Sequence, residues 1–243
     1  MSHALFGQLD SLFKRGTSIS QNKDTLNYRW ASPVDMKAGE KYPLVIFLHG
    51  AGERGNDNQA QLLHGAKTFV SPKHQKARPA FVLAPQCPTG KKWVNINWKL
   101  KSNKQPDTIS IPLEMVIQLI KSMKDSLPID SNRIYITGLS MGGFGTWDAI
   151  TRYPDLFAAA VPVCGGGDEA TAGKLKNMPL WVFHGDADKV IYLERSTNMV
   201  EAIKKTGNKK IKYTIYPKVG HDSWTQTYAN EEVHKWLFHQ RKK

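Results

Sequence analysis

The feature that most restricts this chain is a series of short, largely apolar runs separated by amphipathic stretches. The runs lie at 42–49 (YPLVIFLH), 80–84 (AFVLA), 133–137 (RIYIT), 159–163 (AAVPV), 180–184 (LWVFH) and 211–216 (IKYTIY). A strand with one wet face alternates apolar and polar residues, whereas a continuous apolar run is covered on both faces. Such runs alternating with helices predict a mostly parallel sheet with helices on both sides. Residues 111–126 supply one helix, with Leu113, Val116, Ile117, Ile120 and Met123 at i, i+3, i+4 spacing, Pro112 in the first turn and Pro128 beyond the end. Further helices are expected over 141–153, 192–206 and 224–240. Residues 17–20 and 25–31 alternate and are more polar, which predicts an antiparallel pair at the sheet edge. The expectation is an eight-stranded α/β sheet in one domain over 1–243, with 1–24 as an N-terminal extension and edge strand. The 164–179 connection is too short for a helical cap, so the site should be open.

Composition narrows the class. Hydrophobic residues make up 40% and charged residues 23%, an ordinary globular balance. No apolar run reaches the roughly 20 residues a membrane span needs. Near the N-terminus, Leu5, Phe6, Leu9, Leu12 and Phe13 have helix-like spacing, but Gln8 and Asp10 interrupt it, so it lacks the apolar stretch of a signal peptide. The expectation is a cytoplasmic chain or one whose leader has been removed. The net charge of +13 is spread over Lys91-Lys92, 99–104, 204–212 and the tail Arg241-Lys242-Lys243. These fall in loops and helix ends without a nucleic-acid-binding motif, so nucleic acid is not an expected partner. A solvated basic surface accounts for them, and its summed field would also attract an acidic polymer such as a uronic-acid polysaccharide. Two cysteines, Cys87 and Cys164, make no disulfide framework, and a bridge would need loops reaching between strands that are not neighbours. No Cys/His spacing suggests a metal site.

The chemistry is concentrated in Gly138-Leu139-Ser140-Met141-Gly142, a G-x-S-x-G element between a strand and a helix. Its glycines suit a sharp turn on which a serine is thrust outward, because a Cβ beside it would strike neighbouring backbone. Serine needs a base to take its proton. Of the eight histidines, His221 in Val219-Gly220-His221-Asp222 follows the last strand, where the order Ser, acid, His requires it. His49 and His184 end buried strands and read as structural, and His234 and His239 read as surface residues of the C-terminal helix. The acid belongs in the loop His184-Gly185-Asp186-Ala187-Asp188. Asp188 has the better reach, Asp186 suits the turn, and Asp168 is a further alternative. Oxyanion donors are expected from the N–H groups of Met141 and Ala51. Glu53 and Arg54 are expected to pair and hold the second of these loops, with substrate contact as their alternative role. Trp93, Trp98 and Trp224 are candidates to line the mouth, where flat rings would stack on a sugar or phenolic group; ordinary packing is their alternative role.

Together LHGAGERG, APQCP, DSNRIYITGLSMGGFGTW, VCGGGD, FHGDADKV and VGHDSW resemble the α/β-hydrolase esterases related to dienelactone hydrolase. Within these the chain is similar to carbohydrate esterase family 1, with its feruloyl and acetyl-xylan esterases, and to the peptidase and phospholipase/carboxylesterase groups. The resemblance runs from about Leu26 to the C-terminus. It implies the α/β-hydrolase fold, a triad of Ser140, Asp188 and His221, and an oxyanion hole at Ala51 and Met141. No metal or organic cofactor is expected, because side chains and backbone donors complete the chemistry. The expected activity is hydrolysis of small or polysaccharide-linked esters through an acyl-enzyme. A serine peptidase, a thioesterase or lysophospholipase, and a non-catalytic carbohydrate-binding relative are the alternatives. Nothing in the sequence sets the oligomeric state.

Overall fold

The computed structural model describes residues 9–242, so His3, Leu5, Phe6, Gln8 and Lys243 lie outside the described residues. Eight strands form one sheet: β1 (Lys14–Ile19), β2 (Thr25–Ala31), β3 (Tyr42–Leu48), β4 (Phe81–Gln86), β5 (Ile129–Leu139), β6 (Ala159–Val163), β7 (Leu180–Gly185) and β8 (Ile211–Tyr216). Their order is β1-β2-β4-β3-β5-β6-β7-β8. β1 and β2 are antiparallel to each other, and β2 is antiparallel to β4; every other pairing is parallel. This is the α/β-hydrolase fold. Its parallel strands all end on one edge, which gathers loops that are distant in sequence.

The continuous apolar runs are explained by two cores. In β3, Leu44, Ile46 and Leu48 face one cluster and Val45 and Phe47 the opposite one. The first cluster packs against α2 (Ile111–Ser126), α3 (Met141–Arg152) and α4 (Glu194–Lys205). The second packs against a 3-10 turn, Ala66–Val70, and against α5 (Trp224–Ala229) and α6 (Glu231–His239). The α2 boundaries match the proline punctuation, with Ser110 capping by accepting from the Leu113 N–H. A short helix, α1 (Pro72–Ala77), precedes β4 and carries no apolar periodicity by which to anticipate it.

Several expectations need correction. β8 is not buried on both faces like the other runs; it is the sheet edge, and Ile215 is exposed. The C-terminal helix is two helices, because Asn230 has non-helical backbone and its side chain accepts from the Glu232 N–H to start the second. His234 is buried rather than on the surface. It faces the sheet beside Val233 and Leu237, donates from Nε2 to the Tyr228 carbonyl, and packs edge-on against Phe69 and His74. Cys87 and Cys164 are free thiols buried on opposite faces of the sheet, so no bridge joins them. The 164–179 connection carries one 3-10 turn, Glu169–Leu175. Among the described residues no helix is long and apolar enough to cross a membrane.

Candidate active site

Ser140 sits between β5 and α3 with φ 53° and ψ −117°, left-handed backbone that a non-glycine residue adopts only when its surroundings enforce it. The flanking glycines show the enforcement. A Cβ on Gly138 would lie 2.3 Å from the Gly142 carbonyl oxygen, and one on Gly142 would lie 1.9 Å from the Leu48 carbonyl oxygen. The turn therefore exists only because both positions lack a side chain. It is tied to the neighbouring strand by the Ser140 N–H, which donates to the Val163 carbonyl at 3.0 Å.

Three loops at the carboxyl edge meet there. His221, after β8, has Nε2 2.9 Å from Ser140 Oγ and Nδ1 2.7 Å from Asp188 Oδ2. A carboxylate only accepts, so Nδ1 carries the ring proton and Nε2 is left to accept from the serine hydroxyl. The Asp188 side chain is fully buried. Its Oδ1 accepts from the Val190 and Ile191 N–H groups at 2.8 and 2.9 Å. Burial alone would raise its pKa; hydrogen bonds from His184, His221 and the Ile191 N–H outweigh that and hold it well below the usual carboxylate range. Asp188 is thus a charged anchor that cannot rotate without losing several bonds.

The other acids are engaged elsewhere. Asp186 accepts from the Lys218 N–H at 2.6 Å, which holds the β8 loop. Asp168 caps the 3-10 turn at Glu169–Leu175 and accepts from the Gln105 N–H.

Ala51 begins a 3-10 turn, Ala51–Glu53, and Met141 begins α3. The leading N–H groups of a helical turn have no partner within it and suit a developing oxyanion. Arg54 does not pair with Glu53. Its Nε donates to the Ala51 carbonyl at 2.8 Å and so fixes the turn directly. Glu53 is buried and lies 3.7 Å from His64 Nε2. His49 braces the same turn: its Nε2 accepts from the Cys87 N–H at 2.9 Å, which puts the proton on Nδ1, 2.6 Å from the Gly50 carbonyl. Burial pushes the His49 pKa down to about 4.

Of the three tryptophans, only Trp224 is brought against the catalytic candidates. It is half-buried and edge-on to His221, with ring centroids 5.1 Å apart, and its other neighbour is His64 at 5.6 Å. Trp93 is wholly buried and cannot line the mouth; it packs on Gly145 of α3. Trp98 is half-buried against the core, with Lys92 Nζ 4.6 Å from its ring centre.

Cys164, Asp188 and His221 offer ligand atoms within 4.8 Å of one another. They make a poor metal set. Burial pushes the Cys164 thiol far up, whereas metals bind the thiolate, and the other two groups are committed to each other. Sequence reasoning missed two residues, His64 beside Trp224 and His184 beside Asp188. The only sequence cue for the latter is that it precedes Asp188 by four residues across the turn.

The chain is similar to known esterases in sequence and fold. A thermostable esterase of known structure superposes with a TM-score of 0.91 at 42% identity, covering 97% of this chain and 64% of that one. A ferulic acid esterase shares the fold, with a TM-score of 0.68 at 17% identity over 93% of this chain and 97% of that one. A bifunctional acetylxylan esterase/xylanase of Neocallimastix patriciarum is 29% identical over 154 residues, 61% of this chain and 20% of that protein. A probable carboxylesterase of Oryza sativa subsp. japonica is 24% identical over 216 residues, 82% of this chain and 88% of that one. The chain therefore spans a fifth of the bifunctional enzyme and under two thirds of the thermostable esterase. The family model described as Phospholipase/Carboxylesterase matches residues 31–234, and the chain belongs to that family.

Proposed function

We propose that this protein is a serine carboxylesterase that works through an acyl-enzyme. The observation that carries the reading is the unbroken chain from Ser140 Oγ through the two ring nitrogens of His221 to Asp188, at 2.9 and 2.7 Å. In the first step His221 Nε2 takes the hydroxyl proton as Oγ bonds to the ester carbonyl carbon. The N–H groups of Ala51 and Met141 receive the negative charge that develops on the carbonyl oxygen. His221 then returns the proton to the departing alcohol as the ester C–O bond breaks, which leaves the acyl group on Oγ. Water repeats the sequence and releases the acid. Asp188 holds the imidazole in the tautomer both steps need and offsets its transient positive charge.

Short-chain acyl esters and plant-cell-wall-type feruloyl or acetyl esters are the proposed substrates. The Trp224 ring beside His221 supplies a flat apolar wall for an acyl or sugar group. The test is a panel of p-nitrophenyl acetate, methyl ferulate, acetyl-xylan, a glucuronoyl ester, a thioester and a peptide p-nitroanilide, run on wild type and Ser140→Ala. Ester turnover falling on the order of 10⁵–10⁶-fold in the variant supports the reading. Turnover of the anilide alone would replace it with a peptidase, and turnover of none would leave a binding protein.

A further inference from the structure

His184 is the last residue but one of β7, with its side chain fully buried, and the reaction described above does not use it. Its ring nevertheless lies against the reacting network. Nε2 is 3.2 Å from Asp188 Oδ2, the same oxygen that His221 Nδ1 approaches at 2.7 Å. Nε2 is also 3.1 Å from the Ile191 carbonyl. Both of these neighbours only accept, so Nε2 carries a proton; its hydrogen bond runs to the Ile191 carbonyl, with Asp188 Oδ2 at 3.2 Å close enough to share it. On the other side Nδ1 lies 2.8 Å from Ser196 Oγ, whose hydroxyl is also 2.8 Å from the Gly165 carbonyl. Ser196 belongs to α4 and Gly165 to the loop after β6, so the ring is clamped from two elements.

We infer that His184 is the positioning residue for Asp188: it donates to the oxygen that faces His221, and so sets both the aim of that carboxylate and how much of its charge His221 receives. This rests on the triad reading above.

The geometry explains why one donor would not do. Oδ1 is held by two backbone N–H groups, but Oδ2 is the oxygen used by the base, and without His184 its one donor among the described side chains is the histidine that must shed and regain a proton. A second, non-reacting donor fixes Oδ2 throughout the cycle. It also shares the charge on that oxygen, which moderates the pull on the His221 proton. The Asp188 carboxylate faces His184, and the Glu194 carboxylate of α4 interacts with it electrostatically. Asp188, the Cys164 thiol, Ser140 and Trp224 face His221, with Asp222 adjacent in the chain and the His64–Glu53 pair behind the indole. None of these groups is removed when His184 alone is changed.

The test compares His184→Leu, which fills the space without a donor, with His184→Gln, whose amide N–H can reach Oδ2. Each is titrated at its active serine with a fluorophosphonate, and kcat/KM for p-nitrophenyl acetate is measured against pH per labelled site. The expectation for His184→Leu is a roughly tenfold loss of kcat with KM little changed, and an acidic limb moved up by about half to one pH unit. The limb moves upward because the full charge of Oδ2 then bears on His221. His184→Gln should restore both towards wild type. An acidic limb that stays in place in the leucine variant would overturn the inference, as would a glutamine variant impaired as much as leucine. Should the leucine variant not fold, nitrogen-15 histidine spectra of wild type and Asp188→Asn decide: a protonated Nε2 of His184 whose signal moves in the asparagine variant is required, and a bare Nε2, or one whose signal does not move, would overturn the assignment. Absence of Ser140 labelling in the wild type would instead remove the triad reading itself, so the two failures are distinguishable.

Discussion

The indole Nε1 of Trp93 donates a 3.0 Å hydrogen bond to the main-chain carbonyl of His49. Through it the long loop after β4 grips the end of β3, just before the turn that presents the Ala51 N–H. The same indole packs on Gly145 of α3, where a Cβ would lie 2.7 Å from the Trp93 Cβ. A residue expected at the substrate mouth is thus the brace behind it.

Replacing this brace should damage the site from behind. Trp93→Phe keeps most of the apolar bulk but leaves the His49 carbonyl buried without that donor. The expected loss is about 1–3 kcal/mol in urea unfolding, with kcat reduced more than KM is raised. Unchanged stability and kcat would show that the bond holds nothing in place.

The glycines around Ser140 divide sharply. Gly142→Ala and Gly138→Ala would drive a Cβ into backbone at 1.9 and 2.3 Å, whereas Gly52 has nothing within 4 Å of its ideal Cβ. The first two should cost more than about 4 kcal/mol and yield little folded protein. Gly52→Ala should melt within a few degrees of wild type. Circular dichroism melts of the three check the order.

Acid should destabilise the fold through its buried histidines. Burial pushes His49 down to about 4 and His74 down to about 3 from the ordinary 6.5, and His234 is lowered as well. The unfolded chain therefore binds more protons than the folded one below pH 6.5. Stability from these groups is complete above that pH and is lost as the pH falls towards the folded values, at up to about 1.4 kcal/mol per unit for each histidine. His74→Phe, which stays apolar beside Phe69 and Phe238, should make the loss between pH 6.5 and pH 4 shallower. Urea unfolding at several pH values measures this, and an unchanged slope would contradict it.

Neither thiol should react in the native state. Burial pushes Cys87 up to about 12 and raises Cys164 further, so neither forms the reactive thiolate near neutral pH. A thiol reagent should therefore count no fast-reacting groups in native protein and both cysteines after denaturation. Rapid reaction of either in folded protein would contradict their placement.

Most of the fold was legible because periodicity and punctuation agree. Ser110, Pro112 and Pro128 bound α2, and uninterrupted apolar runs mark strands covered on both faces. β8 misled because Ile211, Tyr213 and Ile215 look like an inner strand, yet among the described residues nothing pairs beyond it in the sheet. Position in a sheet is decided by partners, which one strand's composition does not encode. Asn230 was hidden inside a helical pattern because its side chain caps the next helix, a choice visible only once backbone angles are known.

In the site, Ser140, His221 and Asp188 were legible because the fold dictates their chain order, and the structure brings them within hydrogen-bonding distance. Trp93, His64 and His184 were not. Whether a tryptophan is a wall or a brace, and whether a strand-end histidine touches an acid, depends on side-chain direction across loops that never approach one another in sequence. His234 was misread for the same reason: a histidine on an amphipathic helix gives no sign of facing Phe69 and His74 until the helix is docked.

The most direct measurement is to treat native protein with a fluorophosphonate and map the adduct by peptide mass spectrometry. One adduct on Ser140 is predicted, absent in Ser140→Ala and formed far more slowly in His221→Ala. Modification at another residue, or undiminished labelling in the Ser140→Ala variant, would contradict a hydroxyl activated by His221 and Asp188.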